Sequence, residues 1–190
     1  MKDSALRIAR SELVLGGQKS GKTARTESLA AAWLAADPRH RALYLATARA
    51  GDAEMAERIE RHRRERAGRV PGMRTVEEPL DIAGVLRTQG DDATLVVVDC
   101  LTLWLAGWML PPGEPPRSSP GADVLAEIFA ARAGPLVLVS NEMGLGVIPT
   151  GRETGAYCRR ARRPQPAGRR ARERVTLMVA GLPLSLKGAP

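Results

Sequence analysis

Aromatic side chains are scarce in this chain, with three Trp, two Tyr and one Phe among 190 residues. None of them lies between Arg159 and Arg174, where arginines are densest, so that stretch has no surface on which the bases of single-stranded nucleic acid could stack. There are only two cysteines. Cys100 and Cys158 offer neither metal-ligand spacing nor a disulfide framework, and both are read as free thiols. Long apolar runs are missing as well: Leu95–Val98 and Leu136–Val139 are far shorter than the roughly 20 residues needed to cross a bilayer, so no membrane span is expected. Residues 1–10 mix charged and apolar side chains without the continuous apolar stretch of a secretory signal, which makes the cytoplasm the expected location. No internal repeat is present.

Positive charge is plentiful, but it is concentrated. The formal net charge is +8 and the isoelectric point about 10.4, values that ordinarily point to an anionic polymer. Arg159–Arg174 contains eight arginines and one glutamate, and without it the chain has 21 basic against 20 acidic residues. The basicity is therefore local, and no nucleic-acid partner is expected. The competing reading makes the arginine segment the functional part, with steeply salt-dependent binding as its signature.

At this length one domain with a real core is expected: an N-terminal extension, 1–10, then a single domain over 11–190. Apolar runs at Glu12–Leu15, Ala42–Ala46, Thr94–Asp99 and Pro135–Ser140 read as strands. Between them, Lys22–Ala36, Ala53–Arg66, Ile82–Arg87 and Asp123–Arg132 carry helical patterns, and the Pro-, Gly- and Ser-rich Leu110–Pro120 is a loop. Val175–Ala180 and Leu184–Lys187 are short apolar segments that could close a sheet. This alternation predicts an α/β fold with a mainly parallel sheet, helices on both faces, and a binding site at the strand C-termini.

The strongest motif is Gly16-Gly17-Gln18-Lys19-Ser20-Gly21-Lys22-Thr23, which satisfies G-x-x-x-x-G-K-[ST] between a strand and a helix. A triphosphate needs many backbone N–H donors converging at a helix N-terminus, and glycines let the backbone turn around it without a side chain in the way. Lys22 is expected to reach the β- and γ-phosphates, and the Thr23 hydroxyl to ligate Mg²⁺. Asp99 ends the run Leu95-Val96-Val97-Val98, where its carboxylate would emerge beside the phosphate loop and bind the metal directly or through water. Of two histidines, His40 follows Asp37-Pro38-Arg39 in a polar turn and reads as an exposed loop residue. His62 lies in Glu54-Met55-Ala56-Glu57-Arg58-Ile59-Glu60-Arg61-His62-Arg63, on a helix crowded with arginines. By pattern alone Arg58, Arg63 and Arg66 form a solvated face. Alternatively the guanidinium groups hold a nucleotide's phosphates while the imidazole attacks.

These segments, with Tyr44-Leu45-Ala46-Thr47, Thr75–Pro79, Val98-Asp99-Cys100-Leu101-Thr102-Leu103-Trp104-Leu105, Val139-Ser140-Asn141-Glu142-Met143-Gly144, Val147-Ile148-Pro149 and Gly181-Leu182-Pro183-Leu184, resemble the bifunctional adenosylcobinamide kinase and adenosylcobinamide-phosphate guanylyltransferase family of cobalamin biosynthesis. The order holds from Leu13 to Lys187. The resemblance implies a RecA-like, three-layer P-loop fold in a homo-oligomer, specifically a trimer. It implies phosphorylation of adenosylcobinamide by ATP or GTP, then transfer of GMP from GTP to the resulting phosphate through a GMP-histidine intermediate. By the same resemblance His62 and Lys22 are catalytic. Gly16–Thr23, Ala48, Arg49, Ala50, Arg63, Arg64, Glu65, Arg66, Glu77 and Asp99 contact nucleotide, and Thr23 and Asp99 hold Mg²⁺.

One stretch departs from the family. Where its members have a helix with a Leu-Asn-Gln triplet, this chain has Arg159-Arg160-Ala161-Arg162-Arg163-Pro164-Gln165-Pro166-Ala167-Gly168-Arg169-Arg170, whose prolines and like charges oppose a continuous helix. Pro-Gln-Pro written CCT-CAA-CCA reads Leu-Asn-Gln one base later, given a following G. A compensated frameshift over Arg159–Ala171 would account for the departure. Two further alternatives stand beside the bifunctional enzyme: a simple P-loop kinase with His62 on the surface, and a member disabled by the altered segment. Met73, where the family commonly has Trp, is a smaller difference.

Overall fold

A computed structural model describes residues 8–49, 53–111, 113–115, 117, 122–142 and 173–188. Ala50, the segment from Met143 to Arg172, and with it Cys158, lie outside the described residues. The elements in chain order are β1 (Ser11–Gly16), α1 (Lys22–Ala36), β2 (Arg41–Ala46), α2 (Ala53–Arg69), β3 (Met73–Glu77), α3 (Ile82–Gln89), β4 (Thr94–Asp99), α4 (Leu101–Met109), α5 (Ala122–Ala130), β5 (Leu136–Asn141), β6 (Arg174–Val179) and β7 (Leu182–Lys187). The strands form one sheet in the order β3-β2-β4-β5-β1-β6-β7, parallel except for the antiparallel β6–β7 pair. The expected α/β fold with a mainly parallel sheet is therefore present.

The central strands are buried along nearly their whole length and mostly apolar because both of their faces are covered, as parallel strands require. Alternate residues sort into two cores. Leu13, Leu15, Leu43, Leu45, Val96, Val98, Leu136 and Leu138 pack with Ile82, Val85 and Leu86 of α3, Trp104 and Leu105 of α4 and Ile128 of α5. Val14, Ala42, Tyr44, Leu95, Val97, Val137 and Val139 face the other way, against Leu29 and Ala30 of α1 and Val70 just beyond α2. Each fully buried Leu or Val contributes about 1.5–3 kcal/mol, so the period-two division supplies most of the drive to assemble three layers. Consequently α1 and α2, carrying the phosphate motif and His62, share one face of the sheet.

Three sequence-based expectations change. β3 lacked an apolar run: Met73-Arg74-Thr75-Val76-Glu77 is an edge strand of mostly polar residues. α4 was hidden for the opposite reason. Leu101–Met109 is apolar nearly all round, since Leu101, Thr102, Trp104, Leu105 and Met109 are buried. His40 is not a free loop residue: its ring stacks on Trp33 at 3.6 Å between centroids and 5° between planes, and Nδ1 lies 2.7 Å from the Trp33 carbonyl oxygen.

Candidate active site

The phosphate motif joins β1 to α1. Gly16 has φ +156° and Gly21 φ +102°, and the space is as restrictive as the dihedrals. A Cβ on Gly16 would lie 2.4 Å from Ser20 Oγ and 2.8 Å from the Met178 carbonyl oxygen, and one on Gly21 would lie 3.0 Å from Gly181 Cα. Both glycines are thus demanded by the close approach of the β6–β7 hairpin. Its two turn residues, Ala180 (φ 50°) and Gly181 (φ 81°), are both left-handed, as a tight antiparallel turn requires. The Gly181 N–H donates to the Ser20 carbonyl at 3.0 Å, so the turn braces the loop from behind.

Gly21 caps α1 with no side-chain hydrogen bond, and the first turn has no acidic residue. The helix N-terminus therefore keeps its positive end for an external anion. Lys22 folds back across the loop, its Nζ donating to the Gly16 carbonyl at 3.0 Å and the Gly17 carbonyl at 2.7 Å. Burial holds its pKa below the ordinary lysine value, an effect opposed by the nearby Asp99 carboxylate. Ser20 Oγ is buried with no hydrogen-bond partner among the described residues, and Thr23 is half-buried in the first turn of α1.

Asp99 ends β4 at the same edge of the sheet. One strand, β5, separates it from β1, so the two strand axes are about 10 Å apart. The segment around Asp99 is held firmly: the Thr47 N–H donates to the Asp99 carbonyl at 3.0 Å, the Thr47 hydroxyl donates to the Cys100 carbonyl at 2.9 Å, and the Cys100 N–H donates to that hydroxyl at 2.8 Å. The Tyr44 hydroxyl donates to Asp99 Oδ2. On the far side, the Thr102 hydroxyl accepts the Asn141 N–H at 3.0 Å and lies 3.3 Å from Cys100 Sγ, joining the ends of β4 and β5. Burial pushes the Cys100 thiol above its ordinary pKa, which keeps it protonated.

The other expected residues fall into two groups. Glu77 is exposed at the end of β3, in register with Ala46, which also pairs with Asp99. Ala48 is half-buried and Arg49 exposed just past β2. On α2, His62 is half-buried, whereas Arg63, Arg64 and Glu65 are exposed. Arg66 differs from the solvated face that its pattern suggested: it is 5% exposed, with its guanidinium 3.4 Å from the Tyr44 ring centroid. Among the described side chains of this stretch, Met55, Ile59, His62, Arg66 and Val70 are the partly or fully buried ones, a spacing of three and four that places them on one side. His62 thus belongs to the side of α2 that faces the sheet. Tyr44, Thr47, Thr102 and Gly181 received no role from the sequence, because a hydroxyl in a buried strand or a glycine in a distant hairpin has no periodicity to announce it.

Thr23 and Asp99 offer a hydroxyl and a carboxylate, hard oxygen donors that suit Mg²⁺, which binds through one or two protein oxygens together with substrate phosphates.

A phosphate loop between strand and helix, a lysine folded over it and a carboxylate at a nearby strand end define a P-loop nucleotide-binding protein. The matched family narrows that class. A model described as cobinamide kinase / cobinamide phosphate guanyltransferase matches residues 12–186, and the chain belongs to this family. It is 43% identical over 180 residues to the bifunctional adenosylcobalamin biosynthesis protein CobP of Pseudomonas aeruginosa, covering 94% of this chain and 98% of the relative. It is 28% identical over 187 residues to the corresponding CobU of Escherichia coli, covering 92% and 98%. Among solved structures, flagellar accessory protein FlaH from Methanocaldococcus jannaschii superposes with a TM-score of 0.52 at 13% identity, over 95% of this chain and 80% of that one. That likeness concerns the fold alone.

Proposed function

We propose that the chain catalyses two successive reactions on a corrinoid. In the first, the aminopropanol hydroxyl oxygen of adenosylcobinamide attacks the γ-phosphorus of ATP or GTP; the bond to the β-phosphate oxygen breaks, the nucleoside diphosphate leaves and the hydroxyl proton passes to solvent. In the second, a ring nitrogen of His62 attacks the α-phosphorus of GTP and pyrophosphate leaves, giving a guanylyl-histidine. An oxygen of adenosylcobinamide phosphate then displaces His62 from that phosphorus, yielding adenosylcobinamide-GDP and the free imidazole. Division into two displacements lets one pocket serve two acceptors in turn.

Gly16–Thr23 bind the phosphates through backbone N–H groups, and Lys22 exchanges its two carbonyl partners for phosphate oxygens. Thr23 and Asp99 would hold Mg²⁺, which when bound neutralises charge building on the phosphate chain. Arg63, Arg64 and Glu65, exposed beside His62, and Arg49, Ala48 and Glu77 at the sheet edge, form further nucleotide contacts, together with Ala50. The enzyme works as a cytoplasmic homotrimer.

The observation that carries this reading is the position of His62. It is half-buried on the sheet-facing side of α2, one turn before Arg66, whose guanidinium stacks on the tyrosine bonded to Asp99. Nucleophile and metal-site carboxylate thus belong to the same side of the sheet as the phosphate loop. Supplying adenosylcobinamide with GTP labelled at the α- or the γ-phosphate tests it. Transfer of both labels to the corrinoid is expected; transfer of the γ-label alone, by folded protein, would mean a simple kinase.

A further inference from the structure

Tyr44 and Arg66, which join Asp99 to α2, were given no chemical task in the reactions just described. Tyr44 is 5% exposed and sits on the α1–α2 side of β2. In register it faces Val97 on β4, so Asp99 is its diagonal neighbour, within reach of a tyrosine hydroxyl. That hydroxyl donates to Asp99 Oδ2, and Oδ1 keeps no hydrogen-bond partner among the described residues. Above the ring lies Arg66, which also reaches Thr75 Oγ1 of β3 at 3.4 Å, while its buried Nε has no partner among the described residues. A guanidinium buried this far, with one donor unsatisfied, is expensive to keep, and the aromatic face is what receives it. One turn on, Arg69 makes a two-pronged pair with the buried Glu27 of α1, at 2.8 and 3.1 Å. The C-terminal half of α2 is thereby fixed to the sheet by Arg66 and to the phosphate-loop helix by Arg69, and His62 stands one turn from the first of these anchors.

We propose that Tyr44 is a positioning residue for both reactions: its hydroxyl turns the Asp99 carboxylate so that Oδ1 serves the metal, and its ring, through Arg66, sets α2 and hence His62 relative to that carboxylate. This rests on the reading of Asp99 and His62 given above. It also gives Arg66 a different task from its exposed neighbours Arg63 and Arg64, which are free to meet a nucleotide directly.

The two halves of the relay separate experimentally. Tyr44→Phe removes the hydroxyl and leaves the ring for Arg66. Binding of a fluorescent, slowly hydrolysed GTP analogue, measured in Mg²⁺ and again in EDTA, gives the enhancement due to the metal. Loss of an orienting partner behind a metal ligand costs about ten- to a hundredfold. The Mg²⁺ enhancement should fall by about tenfold or more in Tyr44→Phe, with the EDTA value and thermal midpoint close to the parent's. Arg66→Lys keeps the charge but loses the planar stack; it should lower the rate of His62 guanylylation relative to the kinase kcat by about tenfold, and Arg66→Met should do so at least as strongly. A folded Tyr44→Phe protein with the parent's Mg²⁺ enhancement overturns the first half. Arg66 variants that depress both activities in equal proportion, following only their thermal midpoints, overturn the second. Should the parent itself never be guanylylated, the histidine reading fails instead, and the Mg²⁺ measurement still decides the role of the Tyr44 hydroxyl.

Discussion

Glu12→Gln is the substitution whose cost follows most directly from the structure. Glu12 lies on β1 with 1% of its side chain exposed, and it serves two guanidinium groups at once. Oε1 accepts from Arg25 Nη2 at 3.2 Å and from the Thr176 hydroxyl at 2.8 Å; Oε2 accepts from Arg174 Nη1 at 3.5 Å. Arg174 is 4% and Arg25 11% exposed at the side chain. Glutamine keeps the shape and one acceptor but removes the negative charge that both guanidinium groups meet here. At an effective dielectric constant near 20, a pair at these separations interacts by about 5 kcal/mol, and removing one partner of a buried pair costs about 3–5 kcal/mol. For a domain of this size each kcal/mol lowers the melting temperature by about 2–4 °C, so Glu12→Gln should melt about 6–20 °C below the parent in a calorimetric or circular-dichroism scan. Replacing Glu12 and Arg174 together by Met leaves only Arg25, the most exposed of the three, and should recover a large part of the loss. A fall of less than about 2 °C for Glu12→Gln would refute the reasoning, since it would mean that the carboxylate compensates neither arginine.

The remaining predictions concern the loop, a surface pair and the gene. Gly21→Ala places a Cβ 3.0 Å from Gly181 Cα at φ +102°; with left-handed strain of about 1–2 kcal/mol, GTP affinity measured by titration calorimetry should fall roughly tenfold. Hydrogen bonds from the Arg39 side chain, then its backbone, hold the Asp37 carboxyl at about 2 against an ordinary 3.8. A carboxyl depressed in this way contributes stability that is fully present above pH 3.8 and is lost as pH falls through about 2; NMR titration should place Asp37 near 2 in the parent and return it toward 3.8 in Arg39→Ala. Resequencing the gene should show codons from Arg159 to Ala171 that spell Leu-Asn-Gln in the shifted frame, whereas codons incapable of it would dismiss the frameshift.

Legibility in the sequence followed local chemistry. The loop Gly16–Thr23 was readable because phosphate binding needs glycines, a lysine and a hydroxyl within one short motif, and the sheet was readable because each central strand carries an unbroken apolar run. β3 escaped because an edge strand can afford Arg74, Thr75 and Glu77, and α4 escaped because a helix wedged against the sheet has too little polar surface to reveal its period. His40 was misread because its partner, Trp33, lies on the preceding helix, where no spacing rule connects them. The hairpin brace at Gly181 and the Tyr44–Asp99 contact join residues far apart in the chain. Such contacts exist only once the sheet order is set, which is why the motif strings were recognisable as strings while the work of Tyr44, Thr47 and Thr102 within them was not.

The most direct test of the whole account is to incubate the purified protein with Mg²⁺ and GTP labelled at the α-phosphate, denature it, and map the bound label by peptide mass spectrometry in the parent and in His62→Ala. Acid-labile, alkali-stable GMP on the peptide containing His62, and none on the variant, is the predicted result. A folded, GTP-binding parent that acquires no label, or a His62→Ala protein labelled as well as the parent, would contradict it.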